Sequence, residues 1–594
     1  MKTITRTVLS VSLAALALVA MHSASYGQVD PTTAGEQPVS IRSATPMIMD
    51  DGSVVELDRM VSLHLPNSNK VVLKFMFLNG SSSDPEMLEG LTFLTANWIA
   101  DGGTQDLSST KIKDFLYPMA ASTHVSVDKE AVVFTFEFHK DFVGKVYPVV
   151  SDLIYSPRFD EADFARVKSN QQNYVDEVIK ASSDEEYSKK ALEERLFRDS
   201  RYGHLKQGYS ESIERISMNE AMEHYQNYFT AGNVIVGLAG NFSEEFLAIV
   251  AGDIQRLPMH EPPVADLVAP SLPEGIQVEI ISKQGALGSA IYTGTPLAIT
   301  RANDDFAALM VANSWLGEHR KSYSRLYQKI RQQRSMNYGD YSYIEWYENG
   351  GRNMLPVPGY PRSLNYFALW IRPVQTAGGL KQQILQEAGV GSASDLSGDQ
   401  GGEAVSEDVA AASGGVASEG MDVPDIGEIE LGHAHFALRM AIRELDKLVA
   451  EGMSLQDFEL TREFLLSYMK LYIQTPARQL GYLMDSRYYG RFDYLSDMEE
   501  LIMALTLEEV NKAIKKYWHP QKMHVTIVTD ELEAESLSQS LMENRPSPMT
   551  YSLSLKKLLP QDILDEDKQV AEFHLNVVDV RVTPSEIYFT RKAD

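Results

Sequence analysis

Residues 216–241, ISMNEAMEHYQNYFTAGNVIVGLAGN, lie over residues 505–530, LTLEEVNKAIKKYWHPQKMHVTIVTD, without a gap, bringing Tyr228 onto Tyr517 and Val236 onto Val525. Each stretch reads as a capped helix, a short break and an apolar strand. Further upstream, FDEADFARVK from Phe159 has a counterpart in MSLQDFELTR from Met453, again a turn entering a long helix. The chain therefore reads as a duplication, with halves at 28–256 and 276–535 meeting in the Pro-rich stretch 257–275. Each half opens on β-branched and aromatic strands: VVLKFMFL at 71–78, EAVVFTFEF at 130–138, and the run around Ser289 to Thr293. Long amphipathic helices follow the strands, so the pattern predicts an α+β fold of two-layer halves rather than a doubly wound sheet. Residues 536–594 form a C-terminal extension that returns to strand pattern in AEFHLNVVDVRV, which implies that its end is tied into the fold.

The 594 residues carry a formal net charge of −28, which argues against recognition of nucleic-acid backbones or anionic lipid by bulk electrostatics. Lys2 and Arg6 precede an apolar run from Val8 to Met21, and Ser25 and Gly27 are small enough for the −3 and −1 positions of a cleavage site. Residues 1–27 thus read as a signal peptide, and the expectation is a periplasmic or otherwise exported soluble protein. With no cysteine, thiol catalysis, disulfides and lipid acylation of a cysteine are all excluded. Residues 378–430 are rich in Gly, Ser, Ala and acids and poor in aromatics, a composition expected of a low-complexity insertion unable to offset its ordering entropy.

The stretch 86–104, EMLEGLTFLTANWIADGGT, places Gly-Leu before an amphipathic helix that closes on Gly-Gly-Thr. This framing resembles the metal helix of the insulinase, pitrilysin and mitochondrial processing peptidase family, where Gly-Leu-x leads into H-x-x-E-H. RYGHLKQGYSESIERIS at 201–217, IYTGTPLAIT at 291–300 and SYSRLYQKIRQQRSMNYGDYSY at 322–343 are also similar to segments of that family. The family's helix binds zinc through two His one turn apart on one face, with the Glu between them as general base and a carboxylate from a later helix. Here Phe93 and Asn97 stand at the two His positions, Ala96 at the base and Tyr174 at the third ligand, with Glu177 nearby. The resemblance therefore implies a degenerate zinc motif and no zinc bound by this chain.

The resemblance also implies a clam-like architecture in which the second half supplies an Arg and, seven residues on, a Tyr to the scissile carbonyl. Those positions are Arg331 and Tyr338, and a guanidinium and a phenol are suitable donors to a developing oxyanion. Some family members work as heterodimers in which a zinc-bearing subunit is completed by a metal-free one. That leads to the expectation of a subunit inactive alone, partnered by a zinc-bearing relative, binding peptides or unfolded protein and donating Arg331 and Tyr338. The alternatives are a peptide-binding or assembly scaffold without hydrolysis, and an active peptidase with a rebuilt site. His433 and His435 do not rebuild one, since their side chains diverge by about 200° on a helix. His124 and His139 lack an acidic partner at ligand spacing.

Overall fold

The computed structural model describes residues 47–48, 54–55, 59–347, 357–387, 429–551 and 553–590, all within one compact unit, Ile41–Asp594. The signal-peptide reading of 1–27 falls outside the described residues. The first half contains β1 (Met60–His64), β2 (Lys70–Phe77), α1 (Leu91–Asp101), β3 (Ser122–Val127), β4 (Val132–His139), α2 (Val143–Tyr155), α3 (Glu161–Asn173), α4 (Asp184–Leu196), α5 (Met218–Tyr228) and β5 (Val234–Gly240). Its sheet has the order β1-β5-β2-β4-β3, with β1 parallel to β5 and the other pairs antiparallel.

Coil at 258–273 leads to the second half. Its elements are β6 (Ile276–Lys283), β7 (Gly288–Leu297), α6 (Asp305–Gly317), β8 (Asp340–Tyr343), β9 (Asn365–Gln375), α7 (Ala377–Glu387), α8 (Ala434–Glu451), α9 (Leu455–Tyr472), α10 (Pro476–Tyr488), α11 (Leu507–Tyr517), β10 (His524–Asp530), α12 (Glu531–Met542), α13 (Gln561–Ala571) and β11 (Val577–Pro584). The order β6-β10-β7-β9-β8 repeats that of the first sheet strand for strand, again with one parallel pair, β6 with β10. β11 adds to the outer edge, parallel to β6.

The duplication extends to the helix caps. At the start of α5 the Ser217 side chain accepts from the Glu220 N–H while the Glu220 carboxylate accepts from the Ser217 N–H. Thr506 and Glu509 make the same reciprocal pair at the start of α11. Each pair satisfies backbone donors that the first helical turn leaves without partners.

Both sheets are buried on two faces, which is why β2 reads KVVLKFMF with almost no polar break. Val71, Leu73, Phe75 and Phe77 face the helices of their own half, whereas Val72 and Met76 face Leu480 and Met484 of α10, a helix of the other half. The exchange is reciprocal: Leu192 and Leu196 of α4 pack with Tyr292, Tyr366 and Trp370 on the second sheet. Close approach is built in at Gly237 of β5, where a Cβ would come within 2.4 Å of the Met484 sulfur.

One expectation is corrected. The segment assigned to a low-complexity insertion, 378–430, begins as ordered structure, because residues 378–387 belong to α7. Leu380 and Ile384, four apart and on one helical face, are buried against the molecule and supply the apolar anchor that composition alone obscured. Residues 388–428 lie outside the described residues. No described helix is long and apolar enough to cross a membrane.

Candidate functional site

Helix α1 is held from both sides. Leu91, Leu94 and Trp98 pack with Phe164 and Val167 of α3, while Ala96 and Ile99 pack toward the first sheet. Its N-terminus is fixed by Asp84, whose carboxylate accepts from the N–H of Gly90 (2.8 Å), the N–H of Thr92 (2.8 Å) and the Thr92 hydroxyl. Burial pushes the Asp84 carboxyl up to about 7, against the pull of those donors. The Thr92 oxygen also meets His224 Nε2 at 2.9 Å, and burial holds that imidazole down to about 3, hence neutral. Gly208, with φ +77°, lies so close below Gly90 that a Cβ there would come within 2.0 Å of the Glu89 carbonyl oxygen.

The face of α1 left partly open carries Phe93, Asn97 and Ala100, at i, i+4 and i+7. It is therefore the motif face that looks outward, beside the edge strand β3, but its groups are unsuited to a metal. Phe93 packs against the apolar core of the first half, and the Asn97 amide donates back to the Phe93 carbonyl oxygen at 2.8 Å. Ala96, where the resemblance expects the base, is fully buried. Tyr174 opens a π-helical segment, Tyr174–Ser182, and packs with Val175 and Ile179 in a different apolar cluster, while Glu177 is exposed. No group of three or more His, Asp or Glu with metal-binding geometry occurs among the described residues. These side chains do not fit zinc: a phenyl has no lone pair to offer, and the amide oxygen of Asn97 is a weak ligand where the family uses imidazole.

The second candidate pair does come together. Arg331 sits in another π-helical segment, Tyr327–Gln332, a distortion often found at functional positions. Its guanidinium donates to the main-chain oxygen of Tyr338 at 2.6 Å and lies 5.0 Å from the Tyr327 ring centroid and 5.9 Å from that of Tyr338. Tyr338 is 74% exposed just ahead of β8, so its hydroxyl is open to a ligand. Asp340, the first residue of β8, is fully buried; Asn337 donates to one of its oxygens and the other has no hydrogen-bond partner among the described residues. Burial raises its carboxyl well above the usual range.

The histidines do not converge. His433 Nε2 meets the Thr550 carbonyl oxygen at 3.0 Å and His435 Nδ1 meets the Ser540 hydroxyl at 2.9 Å, both inside the second half. His124 is exposed on β3 and His139 is half-buried at the end of β4.

A polar seam between the halves was not foreseen from sequence. Arg362, ahead of β9, donates to both oxygens of Asp128 (2.6 and 2.7 Å) and to Glu193 of α4 (2.6 Å). Glu130 accepts from Tyr202, from Tyr488 of α10 (2.7 Å) and from Ser363. Beside the seam, within the second half, Arg301 pairs with Glu345 (2.6 Å) and Asp485 (2.7 Å). Only Tyr202 carried a signal, as part of the RYG segment at 201–203.

The fold defines a duplicated α+β chain of peptidase type, with Phe93, Ala96 and Asn97 on its helix α1. Residues 59–205 match the insulinase family (peptidase family M16), and residues 215–360 match the peptidase M16 inactive domain. The chain belongs to this insulinase family of peptidases. It is 25% identical over 267 residues to a protein of Helicobacter pylori named "Non-peptidase homolog YmxG", covering 44% of this chain and 59% of that one. The chain thus spans less than two thirds of that relative's length. It is 21% identical over 306 residues, 51% of this chain and 71% of the other, to "Uncharacterized zinc protease YmxG" of Bacillus subtilis. The crystal structure of a peptidase M16 inactive domain from Pseudomonas fluorescens superposes with a TM-score of 0.62 at 17% identity, covering 82% of this chain and 98% of that one. The periplasmic protease PqqL of Escherichia coli superposes at 0.56 and 11% identity, covering 89% and 51% respectively.

Proposed function

We propose that this chain is an exported, non-catalytic subunit of a zinc endopeptidase of its own family, which shapes a peptide chamber and donates Arg331 and Tyr338 to the partner's scissile carbonyl. The observation that carries the reading is the contrast between two sites of one chain. The outward face of α1 presents Phe93 and Asn97, with no base at Ala96, while Arg331 and Tyr338 stand side by side with the phenol open to solvent. A cationic donor beside a phenol suits an oxygen that gains negative charge, which is the contribution a metal-free subunit can make to acyl transfer. Zinc belongs, in this reading, to the partner, and peptides or unfolded chains are the substrates.

The test is peptide cleavage by the chain reconstituted with a family partner that carries H-x-x-E-H and lacks the Arg and Tyr. Tyr338→Phe keeps the ring and removes one donor, and the expected loss is about 10²- to 10³-fold in turnover with KM little changed. Unchanged turnover in a complex that assembles normally sinks the donor reading. The second reading, a binding or assembly scaffold, is favoured by the name of the Helicobacter relative, a non-peptidase homolog.

A further inference from the structure

We infer that Glu566 and Asp567, in the C-terminal helix α13, are positioning residues that hold the Arg331–Tyr338 segment in its outward-facing geometry from behind. Glu566 accepts from Lys329 on both oxygens (2.9 and 2.9 Å), from Arg334 (2.9 Å) and from Arg443 of α8 (3.2 Å). Asp567 accepts from Arg334 Nε (2.7 Å) and from the Tyr551 hydroxyl (2.7 Å). Lys329 and Arg334 stand two residues before and three residues after Arg331. Arg334 also donates to the Lys329 carbonyl oxygen at 2.7 Å, closing the segment on itself, and its side chain is fully buried.

Irregular backbone makes such a brace necessary. The segment is π-helical over Tyr327–Gln332 and left-handed at Ser335, with φ +54°, so local helix propensity does not fix its course. Ile330 and Met336 are buried and give it apolar anchorage, yet three cations also converge on one carboxylate. Buried ion pairs are poor sources of net stability, because desolvation offsets their attraction. Their effect here is to select one conformation. With 329, 330 and 334 pinned inward, Arg331 turns outward onto the Tyr338 carbonyl. Glu566 lies 237 positions after Lys329 and 232 after Arg334 in the chain.

The importance of this positioning for catalysis rests on the donor reading, but the brace itself is testable without a partner or a substrate. The full-length chain and its Glu566→Gln, Glu566→Asp and Asp567→Asn variants are compared by hydrogen–deuterium exchange on peptides covering 327–338, with peptides from β2 and β10 as internal controls. E566Q is expected to speed exchange across 327–338 at least tenfold while the controls hold, and E566D to restore part of the protection. Unchanged protection of 327–338 in E566Q overturns the inference. If E566Q loosens the whole chain, Lys329→Gln, which leaves the Arg334 pairs intact, decides: selective loosening of 327–338 supports the brace and no loosening overturns it. Tyr338→Phe leaves exchange unchanged in either case, so a failure of the donor reading shows in cleavage alone and a failure of the brace in exchange alone.

Discussion

The Arg331 guanidinium donates to the main-chain oxygen of Tyr338 at 2.6 Å, leaving the Tyr338 side chain exposed rather than packed. A phenol that makes so little buried contact contributes little to stability. Tyr338→Phe is expected to change unfolding free energy by less than about 0.5 kcal/mol, read by denaturant unfolding. A larger loss would mean that the hydroxyl has a structural partner and that Tyr338→Phe is not a clean probe of donation.

Placing the family's H-x-x-E-H residues on α1 is expected to fail at one position before the others. Ala96 is fully buried between helix and sheet, so Ala96→Glu forces a longer side chain and an unpaired carboxylate into the core, at a cost of about 3–5 kcal/mol. Phe93→His and Asn97→His fall on the partly open face and are expected to be far milder. Thermal unfolding of the three single variants checks the order. Metal analysis of the wild-type chain after dialysis against a mild chelator is expected to find much less than one zinc per chain.

The halves are expected to depend on Arg362. Removing it in Arg362→Ala leaves Asp128 and Glu193 buried beside the remaining lysines, and losing one partner of a buried charge network costs about 3–5 kcal/mol. Arg362→Lys keeps the charge but cannot span both Asp128 oxygens, and an intermediate loss in denaturant unfolding is expected.

Gly237 tests the exchanged helix. A side chain there meets the Met484 sulfur at 2.4 Å and the Leu480 methyls at 3.1 Å. Gly237→Val is expected to destabilise by about 1–3 kcal/mol, and Met484→Ala in the same chain to recover part of that loss.

The pairs on Glu566 predict a pH dependence. Burial opposes its ionisation, but the bonds from Lys329 and Arg334 prevail and draw the carboxyl from 4.5 down to about 2. A carboxyl depressed in the folded state adds stability above its unfolded value, and that stability fades as pH falls from about 4.5 to about 2. The stability gap between wild type and Glu566→Gln is therefore expected to be on the order of 3 kcal/mol near neutrality and to close across that window. A gap that stays constant down to pH 2 would contradict the pairing.

Much of the architecture was legible because repeats and periodicity are local. The 216–241 and 505–530 segments announced a helix and a strand in each half, and the structure makes β5 and β10 the equivalent central strands of two equivalent sheets. The motif positions on α1 could be read for the same reason: Phe93, Ala96 and Asn97 fall at helical spacing, and their chemistry follows from identity alone. The start of the 378–430 segment was not legible as a buried helix because Leu380 and Ile384 are two apolar residues in a stretch whose composition is otherwise that of a loop, and their burial is set by packing.

By itself, then, the sequence determined the duplication and the α+β class, and the resemblance it carries set the expectation that Phe93, Ala96, Asn97 and Tyr174 bind no zinc. Tertiary structure decided which helix covers which sheet, because α4 and α10 each cross to the opposite half and two buried faces look alike in sequence. It also decided the seam at Arg362 and the brace at Glu566, whose partners lie more than a hundred residues away and whose charges are indistinguishable in sequence from a solvated acidic surface. Charge pairing at such separations depends on the folded geometry, and local pattern carries no trace of it.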